Sequence, residues 1–272
     1  MTTSLRPSAV AFDTIASSFD ARFGAWTSVA AQRRAVRSAL QQQFPVGGNI
    51  LEIGGGTGED ATYLAERGYS VFLTDPSPMM VSLAREKLMP HGSVAEVAAG
   101  EEMEEFAEIY LSAGRPLFDG AFSNFAPLNC VTDLRPVARG LSRLLRPGAF
   151  AMLVVFGTCC PGEMIVEMLR GRPQQMLRRF KRGALPARLA KREFHVVYHG
   201  CRAISTAFGP WFSLERRLGI GIAVPPSAAE PWISSHSRLL AAMETADRLL
   251  GYTTPMLGDH VMYQLRRRND TH

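Results

Sequence analysis

An acid followed by three alternating glycines marks the stretch of this chain that is best suited to bind a polar ligand. The stretch Glu52–Gly58 reads Glu-Ile-Gly-Gly-Gly-Thr-Gly. The glycines follow the apolar residues Ile50, Leu51 and Ile53 and precede a segment of helical periodicity, so we predict a strand, a tight glycine turn and a helix. Backbone N–H groups and the helix N-terminus would then face the ligand. The dinucleotide pattern G-x-G-x-x-G is not met, because Glu59 stands at its third glycine.

A second acid stands where it can bind a ribose. Ser70–Thr74 predicts a strand, and Asp75 ends it. An acid at the C-terminal end of a strand, about 20 residues after a glycine turn, is placed to accept hydrogen bonds from ribose hydroxyls. Two plainer roles stay open: the glycines could form an ordinary strand-to-helix turn, and Asp75 could cap a helix.

The run Asp75–Met80, which reads Asp-Pro-Ser-Pro-Met-Met, extends this pattern. Together with the glycine turn it resembles the first motifs of the class I S-adenosylmethionine-dependent methyltransferases. The resemblance implies an α/β fold with a doubly wound, mostly parallel, Rossmann-like sheet of seven strands, and S-adenosylmethionine (SAM) as the cofactor. It covers residues 12–265, and its specific part lies between Glu52 and Gly148.

The resemblance also assigns cofactor contacts to single residues. The glycines would admit the methionine portion of the cofactor, Asp75 would hold the ribose, Met79 would cover the adenine ring and Glu101 would take its amino group. From the residues alone, Met79 could equally belong to the core and Glu101 to a solvated helix start. The predicted cofactor-binding residues are Glu52, Gly54, Gly55, Gly56, Gly58, Asp75, Pro76, Met79, Glu101, Ser123 and Asn124.

Two amphipathic helices are predicted ahead of the first strand, one around Phe12 to Phe19 and one from Trp26 to Leu40. The segment Phe12–Asp20 resembles the family's lid motif F-D-x-I-A-x-x-Y-D, which folds over the cofactor. Phe19 replaces the usual tyrosine, so the hydroxyl needed for a tyrosine-assisted mechanism is missing.

Strands and helices alternate five times as far as Phe156, which favours a doubly wound parallel sheet. We predict lid helices over residues 1–48, a cofactor-binding Rossmann-like core over 49–156, and cap insertions with C-terminal strands over 157–272 that complete the same domain. Six further elements are predicted beyond the core. They are a helical insertion over 157–193, a strand over Phe194–His199, a short helix over Ala203–Phe208, a strand over Phe212–Ala223, a second cap helix over Pro231–Leu250, and a last strand over His260–Leu265, which the resemblance makes antiparallel.

Composition indicates where the protein is expected to be located and whether a metal site is expected. The chain has 272 residues, 46% of them hydrophobic, and a net charge of +5. It has no apolar run of 18 residues and no signal-like N-terminus, so we expect a cytoplasmic protein without a membrane span. Its four cysteines show no metal-ligand spacing, so no metal site is predicted. The oligomeric state is left open.

The positive charge is concentrated in one segment. Residues 168–192 hold nine lysines and arginines and no acid, so the rest of the chain is net acidic. A solvated helical face explains such a segment, and so does contact with an acidic or phosphorylated substrate, nucleic acid or a membrane surface. Phe180 is its only aromatic residue, which speaks against stacking on nucleic-acid bases.

The predicted catalytic residues are His195, His199 and Asn129. On one strand the two histidines share a face about 13 Å apart, at roughly 3.3 Å per residue, so they cannot hold one metal ion. Asn129 follows the fourth strand, at the sheet edge where such folds bind ligands, although its side chain could simply bond to the backbone. Other candidate bases are Asp133, Tyr198 and His260, and a base is needed only if the acceptor arrives protonated.

Three functions remain after these observations. The first is methyl transfer to an O, N or C nucleophile of a small-molecule acceptor, which could be acidic and face the basic segment. The second is an RNA or protein methyltransferase that docks through residues 168–192, although no separate recognition module is present and nucleic acid is not the expected partner. The third is a non-methylating descendant that only binds the cofactor.

Overall fold

A computed structural model describes residues 5–230 and 232–269, and a seven-stranded sheet runs through it. The strand order is β3-β2-β1-β4-β5-β9-β8, in which β1 to β5 are parallel and β9 is antiparallel to both of its neighbours. The predicted doubly wound sheet and its antiparallel last strand are therefore confirmed. The strands are β1 Asn49–Ile53, β2 Ser70–Asp75, β3 Val94–Val97, β4 Phe118–Ser123, β5 Leu145–Phe156, β6 Ala184–Leu189, β7 Arg192–Val197, β8 Phe212–Ile220 and β9 His260–Arg267.

In the described residues, ten α-helices surround the sheet. Within the described ranges, none of them combines the length and the apolar character that crossing a bilayer requires. The helices are α1 Pro7–Phe23, α2 Thr27–Gln43, α3 Glu59–Ala65, α4 Pro78–Leu88, α5 Met103–Ser112, α6 Arg135–Leu144, α7 Pro161–Leu169, α8 Pro173–Met176, α9 Cys201–Phe208 and α10 Ser237–Leu250, and short 3-10 turns span Met89–His91, Gly100–Glu102, Pro127–Cys130, Arg178–Phe180, Ser227–Ala229, Ile233–Ser235 and Pro255–Leu257.

Each face of the sheet has its own apolar core. Side chains alternate along a strand, so in β1 Leu51 and Ile53 enter one core while Ile50 enters the other. Helices α5, α6 and α9 cover the first core, and α2, α3 and α4 cover the second. Burial on both faces explains why the central strands are continuous apolar runs.

The prediction of a wholly helical insertion over residues 157–193 is wrong in its last part. After α7 and α8, β6 and β7 pair as an antiparallel hairpin outside the main sheet. Ala190 and Lys191 make its two-residue turn with φ of +50° and +63°, which is the geometry of a tight hairpin. The predicted strand Phe194–His199 begins earlier, at Arg192, and ends at Val197.

The C-terminal third also departs from the prediction in one helix. The second cap helix begins at Ser237 rather than at Pro231, which lies outside the described residues, and a 3-10 turn over Ile233–Ser235 precedes it. Strands β8 and β9 extend the main sheet from β5, so residues beyond 156 contribute to the same sheet. The predicted boundaries at residues 48 and 156 stay predictions.

Helices α5 and α6 approach closely at Gly140. A Cβ added there would lie 2.3 Å from the carbonyl oxygen of Met103. We expect Gly140→Ala to lower the free energy of unfolding by about 1 to 2 kcal/mol, because overpacking against backbone outweighs the roughly 1 kcal/mol that alanine adds in a helix. Equilibrium unfolding in urea, followed by circular dichroism, measures the change.

Gly162 in α7 provides the matched control. A Cβ there would meet only the Pro226 side chain, at 3.3 Å. Gly162→Ala should therefore leave stability within about 0.5 kcal/mol of the parent or raise it. A Gly140→Ala protein as stable as Gly162→Ala would contradict the close approach.

Candidate functional site

The glycine turn lies between β1 and α3 at the carboxyl edge of the sheet. Gly54 and Gly56 have φ of +70° and +56°, a region that L side chains rarely adopt. A Cβ at Gly54 would lie 2.3 Å from the Pro127 side chain, whereas a Cβ at Gly56 would have no atom within 4 Å. The turn is therefore closed on one side by Pro127 and open at Gly56, where a ligand can approach the backbone.

Asp75 lies beside this turn. One carboxylate oxygen accepts a hydrogen bond from the Gly56 N–H and the other from the Ser77 N–H, both at 2.9 Å. Burial raises the pKa of Asp75 to about 6, although the two N–H donors oppose the shift. The structure thus brings Asp75, at the end of β2, next to the glycine turn that follows β1.

Glu52 lies beneath the turn and is buried. Its Oε2 has no hydrogen-bond donor among the residues that the structure describes. Burial and the nearby Asp60 raise its pKa well above the usual value. A buried oxygen without a donor is unfavourable, so a ligand group that donates to it would stabilise the site.

A small cavity of about 40 Å³ lies at the other end of the turn, lined by Gly54, Pro76, Glu101, Leu128 and Cys130 among others. It holds room for only a few water molecules. The guanidinium of Arg6 closes it by pairing with Glu101 at 3.5 Å and Glu102 at 3.1 Å. A nucleobase would therefore enter this cavity only if Arg6 moved away.

Helix α1 is tied over the same region by its two aspartates. Asp13 accepts hydrogen bonds from the Ser77 hydroxyl at 2.7 Å and from the Met79 N–H at 2.9 Å. Asp20 accepts from the Thr57 hydroxyl at 2.6 Å and pairs with Lys87 at 2.7 Å. The segment that resembles the lid motif thus lies closed against the glycine turn and both ends of α4. Met79 keeps 48% of its surface exposed.

Ser123 and Asn124 are used inside the protein. The Ser123 hydroxyl donates to the carbonyl of Ile53 at 2.9 Å, and the Asn124 amide donates to Asp60 at 2.7 Å. Both side chains are buried. They fix the end of β4 against the glycine turn and the start of α3.

Asp60 is a site residue that the sequence analysis missed. It is buried and also pairs with Arg37 at 2.6 Å and Arg33 at 3.2 Å, both from α2. One indication of this cluster is present in the sequence. Arg33 stands at a position where the helical period of the predicted helix calls for an apolar residue. This cluster locks α2 to the helix that follows the glycine turn.

An aromatic layer lies at the carboxyl edge beyond β4 and β5. The His260 ring stacks on Phe156 with centroids 5.0 Å apart and meets Phe125 edge-on at 5.6 Å. Phe125 and Ala126 have φ of +57° and +64°, which costs roughly 1 to 3 kcal/mol per residue. Such strain right after a strand that ends at the site is typical of a functional position.

A buried guanidinium supports this layer. Arg179 pairs with Glu163 and, at 2.6 Å, with Asp259, and it lies 5.4 Å from the centre of the Phe156 ring. Asp259 lies 3.4 Å from Nδ1 of His260. Burial lowers the pKa of His260 despite this carboxylate, so the ring is neutral at pH 7.

Cys160, Glu163 and Asp259 hold ligand-type atoms within 4.8 Å of one another. Three such groups would suit a metal ion by spacing alone. Arg179, however, already pairs with both carboxylates, so the cationic charge that they require is supplied by the chain itself.

The three predicted catalytic residues lie apart from the glycine turn or are bonded to backbone. His195 is exposed on β7. The Asn129 amide donates to the carbonyl of Val197 and accepts from the Phe156 N–H. Their catalytic assignments stay predictions.

His199 does not lie on the strand with His195, because β7 ends before it. Its Nε2 lies 2.8 Å from the carbonyl of Val131, and burial lowers the pKa of the ring. It lines a second cavity of about 770 Å³ between the start of α6, the insertion and α9. The lining includes Asp133, Arg135, Thr158, Arg179, Phe180, Lys181, Arg182, Tyr198, His199 and Arg202.

The second cavity is strongly basic. Arg135 is neutralised by Asp133 at 2.7 Å, and Arg179 by its buried carboxylates. Lys181, Arg182 and Arg202 have no ion pair within the described part of the chain. A ligand with an acidic group would complement these three cations.

Comparison with known proteins agrees with this geometry. A family model described as a methyltransferase domain matches residues 50–148. The malonyl-[acyl-carrier protein] O-methyltransferase of Salmonella typhimurium is 34% identical over 116 residues, which is 43% of this chain and 41% of that protein. The chain therefore matches less than half the length of this curated relative.

Solved structures share the architecture. A SAM-dependent methyltransferase from Methanosarcina mazei has a TM-score of 0.56 at 17% identity, over 85% of this chain and 98% of that one. The CcbJ methyltransferase from Streptomyces caelestis has a TM-score of 0.53 at 14% identity, over 88% and 90%. At such identities the likeness concerns the fold. The domain match itself spans the glycine turn and Asp75, so residues 50–148 are identified as a methyltransferase domain.

Proposed function

We propose that this protein transfers the methyl group of SAM to an O, N or C nucleophile of a small-molecule acceptor that carries an acidic group. The observation that carries the proposal is the buried Asp75 carboxylate, hydrogen-bonded to Gly56 at the point where the turn opens. At this point a ligand can contact the Asp75 carboxylate and also approach the backbone at Gly56. This arrangement suits a ligand that has both a ribose and a charged tail.

The chain's own residues divide the work of holding the cofactor. Asp75 accepts hydrogen bonds from the ribose hydroxyls, and the open backbone at Gly56 admits the methionine portion. Glu101 accepts from the adenine amino group once Arg6 has released it. Glu52 supplies the buried oxygen that lacks a donor. When bound, SAM supplies an electrophilic methyl group on a sulfonium.

The aromatic layer positions the acceptor. Phe125, Phe156 and His260 form a layer of rings at the carboxyl edge of the sheet, where β4 and β5 end. Such a layer excludes water and fixes the orientation of a bound molecule. Holding a nucleophile in line at roughly 3 to 3.5 Å from the methyl carbon supplies most of the rate enhancement.

His260 is the base that we favour where the acceptor arrives protonated. Its neutral ring can take a proton, and Asp259 next to Nδ1 stabilises the resulting imidazolium. Arg179 and Gln32 hold Asp259 in turn, at 2.6 and 3.2 Å. His260 thus has a carboxylate within ion-pair distance of Nδ1, although this nitrogen forms no hydrogen bond within the described residues, whereas His195 is exposed on β7.

The second cavity supports a small acidic acceptor. Its volume of about 770 Å³ lies within the range of about 300 to 1,000 Å³ that small-molecule sites occupy. Its three unpaired cations favour a carboxylate or a phosphate. The curated relative is named for methylation of malonyl-[acyl-carrier protein], which is consistent with an acidic acceptor. The cytoplasmic location stays a prediction.

A labelling experiment tests this function. The protein is incubated with SAM tritiated in its methyl group and with a small-molecule extract, total RNA or total protein in parallel. Label should appear in small molecules that anion-exchange resin retains. Label confined to RNA or protein would overturn the choice of acceptor, and binding of SAM without any labelled product would leave a cofactor-binding protein that does not methylate.

Removal of the Asp75 carboxylate should weaken SAM binding. We expect Asp75→Ala to raise the dissociation constant by roughly 10- to 150-fold, which corresponds to the 1.5 to 3 kcal/mol of hydrogen bonds to a charged group. Isothermal titration calorimetry measures it. Glu105→Ala, which removes an exposed carboxylate from α5, should bind as the parent does. Equal affinities of the two variants would exclude Asp75 from the site.

SAM binding should also weaken as the pH falls through 6. The Asp75 pKa of about 6 means that the carboxyl group binds a proton below that pH and loses acceptor capacity for the ribose. The dissociation constant should be flat above pH 7 and rise by up to about tenfold per pH unit below 6.

Asp75→Asn tests whether Asp75 itself causes the pH dependence of SAM binding. The test is needed because Glu52 also has a raised pKa and Asp13 lies nearby. The variant should bind weakly at every pH, with a flat profile between pH 5 and 8. A profile as steep as that of the parent would assign the pH dependence to another group.

A further inference from the structure

Helix α7 has its charged and apolar faces reversed. Glu163 and Glu167 are only 5% and 8% exposed, whereas Ile165, Met168 and Leu169 are 54%, 58% and 80% exposed. At 3.6 residues per turn the two glutamates share one side of the helix, and the three apolar side chains lie on the opposite side. The exposed stripe is therefore a continuous face and not a set of scattered side chains.

Ion pairs explain why the glutamates point inward. Glu163 pairs with the buried Arg179 and with Arg178, and Glu167 pairs with Arg170 at 3.5 Å. These pairs hold α7 in one rotational position. As a result, its apolar side faces solvent and contacts no core of the described protein.

The exposed apolar surface continues beyond α7. Leu177 and Phe180, in the segment that follows α8, are 49% and 54% exposed. Arg172, Lys181 and Arg182 flank them and form no ion pair in the described ranges. We call these five apolar and three cationic side chains the docking face: Ile165, Met168, Leu169, Leu177, Phe180, Arg172, Lys181 and Arg182.

We propose that the docking face binds the surface of an anionic lipid bilayer. Apolar side chains that point outward can enter the boundary between headgroups and acyl chains, and unpaired arginines and lysines beside them meet the lipid phosphates. The sequence supplies no acid between residues 168 and 192 that would repel such a surface. The proposal does not depend on methyl transfer.

Other occupants fit this chemistry less well. RNA would require aromatic side chains for stacking, and Phe180 is the only one in the docking face. A second copy of the chain would bring the same three unpaired cations together across a two-fold axis, which is unfavourable. An anionic bilayer satisfies the apolar and the cationic side chains at once.

The docking face also borders the second cavity, because Phe180, Lys181 and Arg182 line both. A bilayer bound there would lie at the rim of the cavity. A membrane-associated molecule with an acidic group could then reach the cavity without crossing bulk water.

Vesicle flotation tests the proposal with the full chain. Large vesicles of pure phosphatidylcholine are compared with vesicles containing half phosphatidylglycerol, at 50 and 500 mM NaCl. The protein should float with the anionic vesicles at low salt and much less with the neutral ones or at high salt. Failure to bind anionic vesicles at low salt would overturn the proposal.

One double variant, three single variants and a matched control locate the contact. Met168→Glu combined with Leu169→Glu should reduce the partition coefficient by at least about tenfold, and each of Arg172→Gln, Lys181→Gln and Arg182→Gln by about fivefold. Ile109→Glu replaces an equally exposed residue, 63% accessible, on α5 and should bind as the parent does. An equal loss of vesicle binding in Ile109→Glu would show that the docking face is not the contact surface.

Hydrogen exchange on the unmodified protein avoids the question of whether a variant folds. Anionic vesicles should protect amides over residues 161–182 and leave those of α5 unchanged. Protection elsewhere would contradict the proposal. The proposal would also be contradicted if the parent protein were a dimer and the Met168→Glu, Leu169→Glu double variant were a monomer. A second copy of the chain would then occupy the docking face. Binding of RNA but not of vesicles would assign the face to nucleic acid.

Discussion

The hydrogen bond from the Gly56 N–H to the Asp75 carboxylate is the contact on which the site depends. It joins the loop after β1 to the last residue of β2, and it forms because Ile53 pairs with Thr74 in the register of these two strands. A shift of that register by one residue would turn Asp75 to the other face of the sheet. The same burial that places the carboxylate also raises its pKa, so the position of Asp75 and its response to pH have one cause.

The insertion after β5 likewise depends on one residue, the buried Arg179. A buried guanidinium is stable only with carboxylates around it, and these are supplied by Glu163 from α7 and by Asp259, which immediately precedes β9. This requirement fixes α7 to the sheet edge and orients its apolar side outward. It also places Asp259 next to His260. One buried charge therefore determines both the candidate base and the exposed apolar face.

Local patterns in the sequence predicted the sheet and the glycine turn, because strand burial and turn geometry depend on neighbouring residues. The sequence does not predict β6, since Ala184–Leu189 contains a proline and its side chains alternate only between exposed and half-buried. Asn129 and His199 were chosen for their chemistry, yet their partners are backbone carbonyls 68 residues away in the chain. Contacts of that range leave no periodicity in the sequence, and the same holds for Asp60 with its two arginines.

The closed lid connects the cofactor side with the insertion. Helix α1 is bonded through Asp13 to the start of α4, and its Phe12 ring lies 6.0 Å from Phe194 of β7. Phe194 is buried, so any outward movement of α1 exposes part of the hairpin. Because Arg6 also closes the small cavity, entry of a nucleobase requires that movement. Displacement of α1 would therefore open the small cavity and expose part of the hairpin at the same time.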